Sequence, residues 1–109
     1  MTQLIQDTIK LRQAFEARGI KYDKRSRLID LVEELGELAQ AVHIVEGFKT
    51  TNDPQKAKTV ADVADGLCDM LYEIILLAQD YDLDLEGEYQ EMLGRLEKRL
   101  KAGEFDRSI

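Results

Sequence analysis

Two stretches of the chain carry carboxylates at spacings that could hold a cation. At about 100° per residue, Asp30, Glu34 and Glu37 fall on one side of a helix, and Ala41 and Ile44 continue that side without charge. Leu28, Leu31, Val32, Leu35, Ala39 and Val42 occupy roughly the opposite side. A second stretch repeats the design. Val60, Ala64, Leu67, Leu71, Ile74 and Ala78 make its apolar face, and Asp62, Asp65, Asp69 and Glu73 line the other, followed by Leu76 and Asp80. Like charges three and four residues apart destabilise an isolated helix by about 0.2–0.5 kcal/mol per pair. No Lys or Arg is interleaved within either set. A shared divalent cation with hard oxygen ligands, Mg²⁺ or Mn²⁺, would relieve that repulsion. The competing reading is a pair of solvated acidic faces on an acidic protein.

The elements that position these residues read as all-α. The only proline is Pro54, most of the seven glycines sit where a helix could end, and no run alternates like a strand. The first helix is expected from Thr2 as N-cap to about Arg18, with Gly19 beyond it and a connector to Arg25. The second should run from about Ser26 to Glu46 and stop at Gly47. Asp53 and Pro54 are expected to open a third helix that reaches about Asp80. Asp84 caps a fourth, continuing to about Ala102 with Gly103 as its stop. Residues 1–109 thus form a single domain of antiparallel helices. The two long helices leave apolar surface that so small a chain does not cover alone, which predicts a homodimer or homotetramer.

Composition narrows the function. The 109 residues hold 15 Lys and Arg against 22 Asp and Glu, a net charge of −7. That balance argues against binding a nucleic-acid polymer, which needs a basic face to displace counterions. A nucleotide remains compatible, because a cation can bridge acidic side chains to phosphate. The single Cys68 rules out an intramolecular disulfide framework and a cysteine-based zinc site. The longest apolar run, Ile74 to Ala78, falls far short of the roughly 20 residues of a membrane helix. Residues 1–10 lack the pattern of a signal peptide, so a cytoplasmic protein is expected. A di-iron bundle is excluded, since no Glu lies three residues before the only histidine, His43.

The stretch Val32-Glu33-Glu34-Leu35-Gly36-Glu37-Leu38-Ala39 resembles the Glu-Glu-x-x-Glu signature of the MazG-like all-α nucleoside triphosphate pyrophosphatases. Gly66-Leu67-Cys68-Asp69-Met70-Leu71-Tyr72 is similar to that family's second motif, Glu-x-x-Asp followed by an apolar helix. Residues 81–99 resemble its closing helix, with Arg95 and Arg99 in the basic positions. The resemblance covers roughly residues 26 to 100, with the motifs in order. It implies a Mg²⁺-dependent enzyme that cleaves (d)NTP to (d)NMP and pyrophosphate, in the family's usual role of clearing noncanonical nucleotides. It also implies the MazG-like four-helix arrangement, completed by dimerisation. Carried over residue by residue, it assigns metal ligation to Glu34, Glu37 and Asp69, orientation or activation of the attacking water to Glu33, and substrate contacts to Arg95 and Arg99.

One departure stands out: the glutamate expected three residues before Asp69 is Gly66. Asp65, four residues before Asp69 on the same face, and Asp62, one turn earlier, are the two candidates to replace it as a ligand, and spacing does not choose between them. The rival reading is a catalytically degenerate module of the same fold that holds a nucleotide or a metal without turnover. Lys98 and the loop lysines Lys49, Lys56 and Lys58 are further phosphate contacts in principle. His43 reads as a structural histidine and Cys68 as a small buried residue. Phe48 and Tyr72, close in sequence to the site, are the aromatics best placed to meet a base.

Overall fold

The computed structural model describes residues 2–48, 50 and 58–107. It contains four helices, α1 (Gln3–Ala17), α2 (Lys24–Val45), α3 (Val60–Asp80) and α4 (Leu85–Lys101), and no strand among the described residues. None of the helices is long and apolar enough to cross a membrane.

Local chemistry sets the boundaries. The Thr2 hydroxyl accepts from the Ile5 amide at 3.3 Å and opens α1. Asp23 opens α2 by accepting from the Ser26 amide at 2.7 Å, so α2 starts two residues before the expected Ser26. Both helices end on a glycine with positive φ, Gly19 at 80° and Gly47 at 78°, and the following amide reaches back to the last turn (Ile20 to Phe15, Phe48 to His43). α3 begins later than the sequence suggests. Thr59 is extended (φ −125°, ψ 172°), and Asp62 accepts from its amide at 2.7 Å and from its hydroxyl at 3.2 Å. The expected start at Asp53 and Pro54 lies outside the described residues. α4 opens as expected, with Asp84 accepting from the Gly87 amide at 3.1 Å.

Helix packing reverses what amphipathicity alone would give. α2 lies against α3, and α1 against α3. Arg27 near the start of α2 meets Glu73 and Asp80 late in α3, while Leu38 further along α2 meets Gly66 early in α3. The two long helices therefore run in opposite directions. Their facing sides are the carboxylate-bearing ones. Ala41, which continues the acidic side of α2, and Leu76, which continues that of α3, are buried. Much of the opposite, apolar side points outward: Leu28, Val32 and Leu35 on α2 are 52%, 62% and 52% exposed, and Val60, Leu67, Leu71 and Ile74 on α3 are exposed as well, while Ala78 at the end of that stripe is buried.

The physical reason is a charge clamp at the open end of the α2–α3 pair. Arg27, 4% exposed, donates from Nε to Asp80 at 3.0 Å and from Nη1 to Glu73 at 3.3 Å. Arg12 of α1 binds the other oxygen of Asp80, and also donates to the Leu76 carbonyl at 3.2 Å and the Gln79 amide oxygen at 3.0 Å. One carboxylate thus ties three helices together. Further along, Gly66 has no side chain to hold the helices apart. A Cβ there would stand 3.1 Å from Leu38 Cδ1 and 3.3 Å from its Cβ.

The result is an open shape. The radius of gyration is 18.2 Å, against about 13 Å for a compact domain of this length. The accessible surface is 8768 Å², about 2,600 Å² more than a compact monomer of this mass displays. Replacing Arg27 with Ala leaves Asp80 and Glu73 short of their shared partner in a buried setting. We expect a loss of about 3–5 kcal/mol of unfolding free energy, measured by urea denaturation. A loss below about 1 kcal/mol would show that the clamp does not hold the helices.

Candidate metal centre

The acidic sides of α2 and α3 bring a set of carboxylates together around Glu34, with Asp30 and Glu73 half-buried and Glu37 and Asp69 exposed at its rim. Glu34 is half-buried, and its Oε2 is shielded from solvent without a hydrogen-bond partner. Its carboxyl is held above the usual carboxylate range, first by desolvation, then by the charges of Glu37 and Asp69, by a side-chain contact with Asp69 that favours the protonated form, and by the charge of Glu73. Glu73 is also pushed up, by burial foremost and by the charges of Asp30 and Asp69, against the opposing pull of Arg27. Asp30, Glu34 and Glu37 from one helix and Asp69 and Glu73 from the other therefore act on one another across the packed interface.

All of these donors are oxygens of hard carboxylates, which suits Mg²⁺ or Mn²⁺ better than a soft metal. An orphaned, shielded carboxylate oxygen under pressure from three like charges is what an added cation would satisfy. The donor set and the orphaned oxygen fit such an ion. As placed, however, no three His, Cys, Asp or Glu side chains among the described residues close up into a coordination cage.

Several residues singled out from the sequence stand apart from this cluster. Glu33 is exposed on the neighbouring flank of α2. Asp65 is exposed one turn before Asp69. Asp62 is committed to the first turn of α3, and its hydrogen bonds from the Thr59 backbone amide and then the hydroxyl hold its carboxyl below the usual range. Both of those bonds use Oδ2, so Asp62 serves the cap of α3 with one carboxylate oxygen. Arg95 and Arg99 lie exposed on α4, which packs on neither α2 nor α3 to a comparable extent. The Arg99 guanidinium pairs with Glu104 at 2.9 Å and covers the Phe105 ring at 4.7 Å. A single chain does not bring these arginines to the carboxylates. Lys49 and Lys56 lie outside the described residues.

Among the remaining candidates, Cys68 is exposed and not buried, because it sits on the outer side of the α2–α3 pair. His43 is exposed, with its ring edge-on to Phe48 at 6.1 Å. Tyr72 is half-buried and lines a cavity of about 190 Å³ together with Arg12, Phe15, Tyr22, Arg27 and Glu73. That cavity adjoins the carboxylates through Glu73. Arg12 and Arg27 were not among the expected site residues. The signal for Arg27 was present, since it falls one turn before Asp30 on the acidic side of α2 and is the one cation there.

No protein-family model matches this chain, and no curated protein or solved structure shows significant similarity to it. The chemistry of the cluster must carry the functional reading.

Glu34 gives a direct test. Its pKa in the folded chain is raised, so its ionised form costs stability above the ordinary carboxylate range. Glu34→Gln should therefore raise the melting temperature of the metal-free protein at neutral pH. Millimolar Mg²⁺ or Mn²⁺ should stabilise the wild type, as a ligand of the native state must, and leave the variant unmoved. A lower melting temperature for the variant, or equal cation responses, would remove Glu34 from the centre of the site.

Proposed function

We propose that this chain is a metal-dependent nucleoside triphosphate pyrophosphohydrolase of the MazG-like kind, cleaving (d)NTP to (d)NMP and pyrophosphate. The observation that carries the reading is the inward packing of two acidic helix faces around the orphaned Glu34 oxygen. A helix pair packed for stability alone would turn its apolar stripes inward. This pair holds carboxylates together against their repulsion.

In this reading Glu34, Glu37 and Asp69 hold the cation, with Asp65 as a further ligand from the exposed turn before Asp69. A Mg²⁺ held there would supply Lewis acidity toward phosphate oxygens and toward the attacking water. Phosphoryl transfer asks the protein mainly for positioning and charge neutralisation. Glu33, on the adjacent flank, orients the water and takes its proton. Arg27 anchors Glu73 and Asp80, which keeps the α2–α3 pair in register at the edge of the site. Tyr72 and the cavity beside it offer an apolar surface for a base. Clearance of noncanonical nucleotides is the role that fits such an activity.

The reading includes a homodimer or pair of dimers in a cytoplasmic setting. The surplus of about 2,600 Å² exceeds what one partner contributes to an ordinary stable interface, about 800 Å². The outward stripes of α2 and α3 are the faces a second copy would cover. We expect sedimentation at micromolar concentration to give a dimer or larger. Monomer alone would count against this part of the proposal.

A catalytically degenerate module that binds a nucleotide or metal without turnover is the second reading, and Gly66 favours it. A glutamate at that position would require Leu38 to shift by a few tenths of an ångström, since a Cβ there meets it at 3.1 Å. Incubating the protein with a panel of ribo- and deoxynucleoside triphosphates, with Mg²⁺ and with EDTA, decides between the two. The enzyme should release monophosphate and pyrophosphate, lose that activity with EDTA, and lose at least 100-fold in Glu37→Gln and Asp69→Asn while both variants stay folded. Absence of turnover with Mg²⁺ and Mn²⁺ would favour the binding module. Full activity in both variants would overturn the ligand assignment.

A further inference from the structure

We infer that α4 pairs antiparallel with α4 of a second copy of this chain. The inference does not depend on nucleotide chemistry. From Glu88 to Ala102 every residue of α4 is exposed, its apolar ones included, with Tyr89 at 54% and Leu100 at 62%. At about 100° per residue Leu85, Tyr89, Met92, Leu93, Leu96 and Leu100 fall within an arc of about 100°. A stripe of that width is a packing face; Leu85 at its start is half-buried beside Ile5, Ile9 and Ile75, and the rest of it, from Tyr89 to Leu100, is exposed among the described residues.

Charge and register both identify the occupant. The first half of α4 carries Glu86, Glu88 and Glu91, and the second half carries Arg95, Lys98, Arg99 and Lys101. The one acid in the second half, Glu97, is held by Lys101 at 2.9 Å. An antiparallel copy lays each acidic half on a basic half and opposes the two helix dipoles favourably. The apolar residues are palindromic in the same alignment. Leu85 faces Leu100 of the second copy, Tyr89 faces Leu96, and Met92 faces Leu93. On one flank of the stripe lie Glu88, Arg95 and Arg99. In that register Glu88 falls between Arg95 and Arg99 of the second copy, about 3 Å along the axis from the level of each; Arg95 would pair with it directly, Arg99 would share it with Glu104 of its own chain, and symmetry repeats the arrangement. A parallel pair would instead stack the acidic halves and bring Glu88 beside Glu86. A two-fold axis across the helices generates the antiparallel contact from one patch, as an isologous dimer requires.

The test uses the full chain with Cys68→Ser. Tyr89→Cys and Leu96→Cys chains are prepared separately, then oxidised alone and as an equimolar mixture. Antiparallel pairing puts position 89 level with position 96 of the other copy. Two cysteines at position 96 would then be seven residues, about 10.5 Å, apart along the axis, beyond the roughly 7 Å Cα separation of a disulfide. The mixture should yield at least tenfold more cross-linked dimer than either variant alone. Cross-linking of Leu96→Cys alone at the level of the mixture would establish a parallel pair and overturn the inference. No cross-link in the mixture would overturn it in favour of α4 docking elsewhere. Charge reversal reads the same contact without cysteine chemistry. Glu88→Arg and the double variant Arg95→Glu/Arg99→Glu should each weaken self-association at least tenfold, and their mixture should restore it. Association unchanged in both, or no recovery on mixing, would refute the proposed flank contacts.

Discussion

The buried guanidinium of Arg27 is the interaction on which the arrangement of this chain depends. It accepts the cost of leaving water only because Asp80 and Glu73 meet it from α3, and Arg12 brings α1 to the same Asp80. Such a network contributes little net stability compared with apolar packing, but it specifies which faces meet. With the clamp in place at one end and Gly66 against Leu38 toward the other, the acidic sides of α2 and α3 have no choice but to face each other.

Two consequences follow from that one constraint. The carboxylates beyond the reach of Arg27 are left uncompensated, so Glu34 is raised by desolvation and by its neighbours, with one oxygen lacking any donor. The apolar stripes of the same helices are turned outward, along with that of α4. Site and exposed surface are thus two sides of one packing decision. A chain that gathers charge at its interior must find its hydrophobic burial elsewhere, and an extended shape with a radius of gyration of 18.2 Å is the outcome.

Gly66 illustrates how packing and chemistry compete for one position. A glutamate there would add a carboxylate to the cluster, yet its Cβ would press on Leu38. Glycine lets the helices close at the expense of a further carboxylate beside the cluster. Asp62, which the spacing offered as a substitute, is drawn into capping α3 by Thr59. A carboxylate near a helix start satisfies exposed amides before it is free for anything else.

The sequence by itself determined the helices, because caps and glycine stops are local. Thr2, Asp84, Gly19 and Gly47 act within a few residues of themselves, and the all-α character and the α4 boundaries could be read from them. It also determined that Asp30, Glu34 and Glu37 share a face, and likewise Asp69 and Glu73, since helical periodicity is local too. Which face turns inward was not local. Periodicity sorted Leu28, Val32 and Leu35 onto one side and the carboxylates onto the other without saying which would be buried, and it carried no information on the partner of Arg27, which stands 46 residues from Glu73 and 53 from Asp80. Only the tertiary structure decided that buried charge pairing and a close glycine contact would set the interface, leaving Leu28, Val32 and Leu35 exposed.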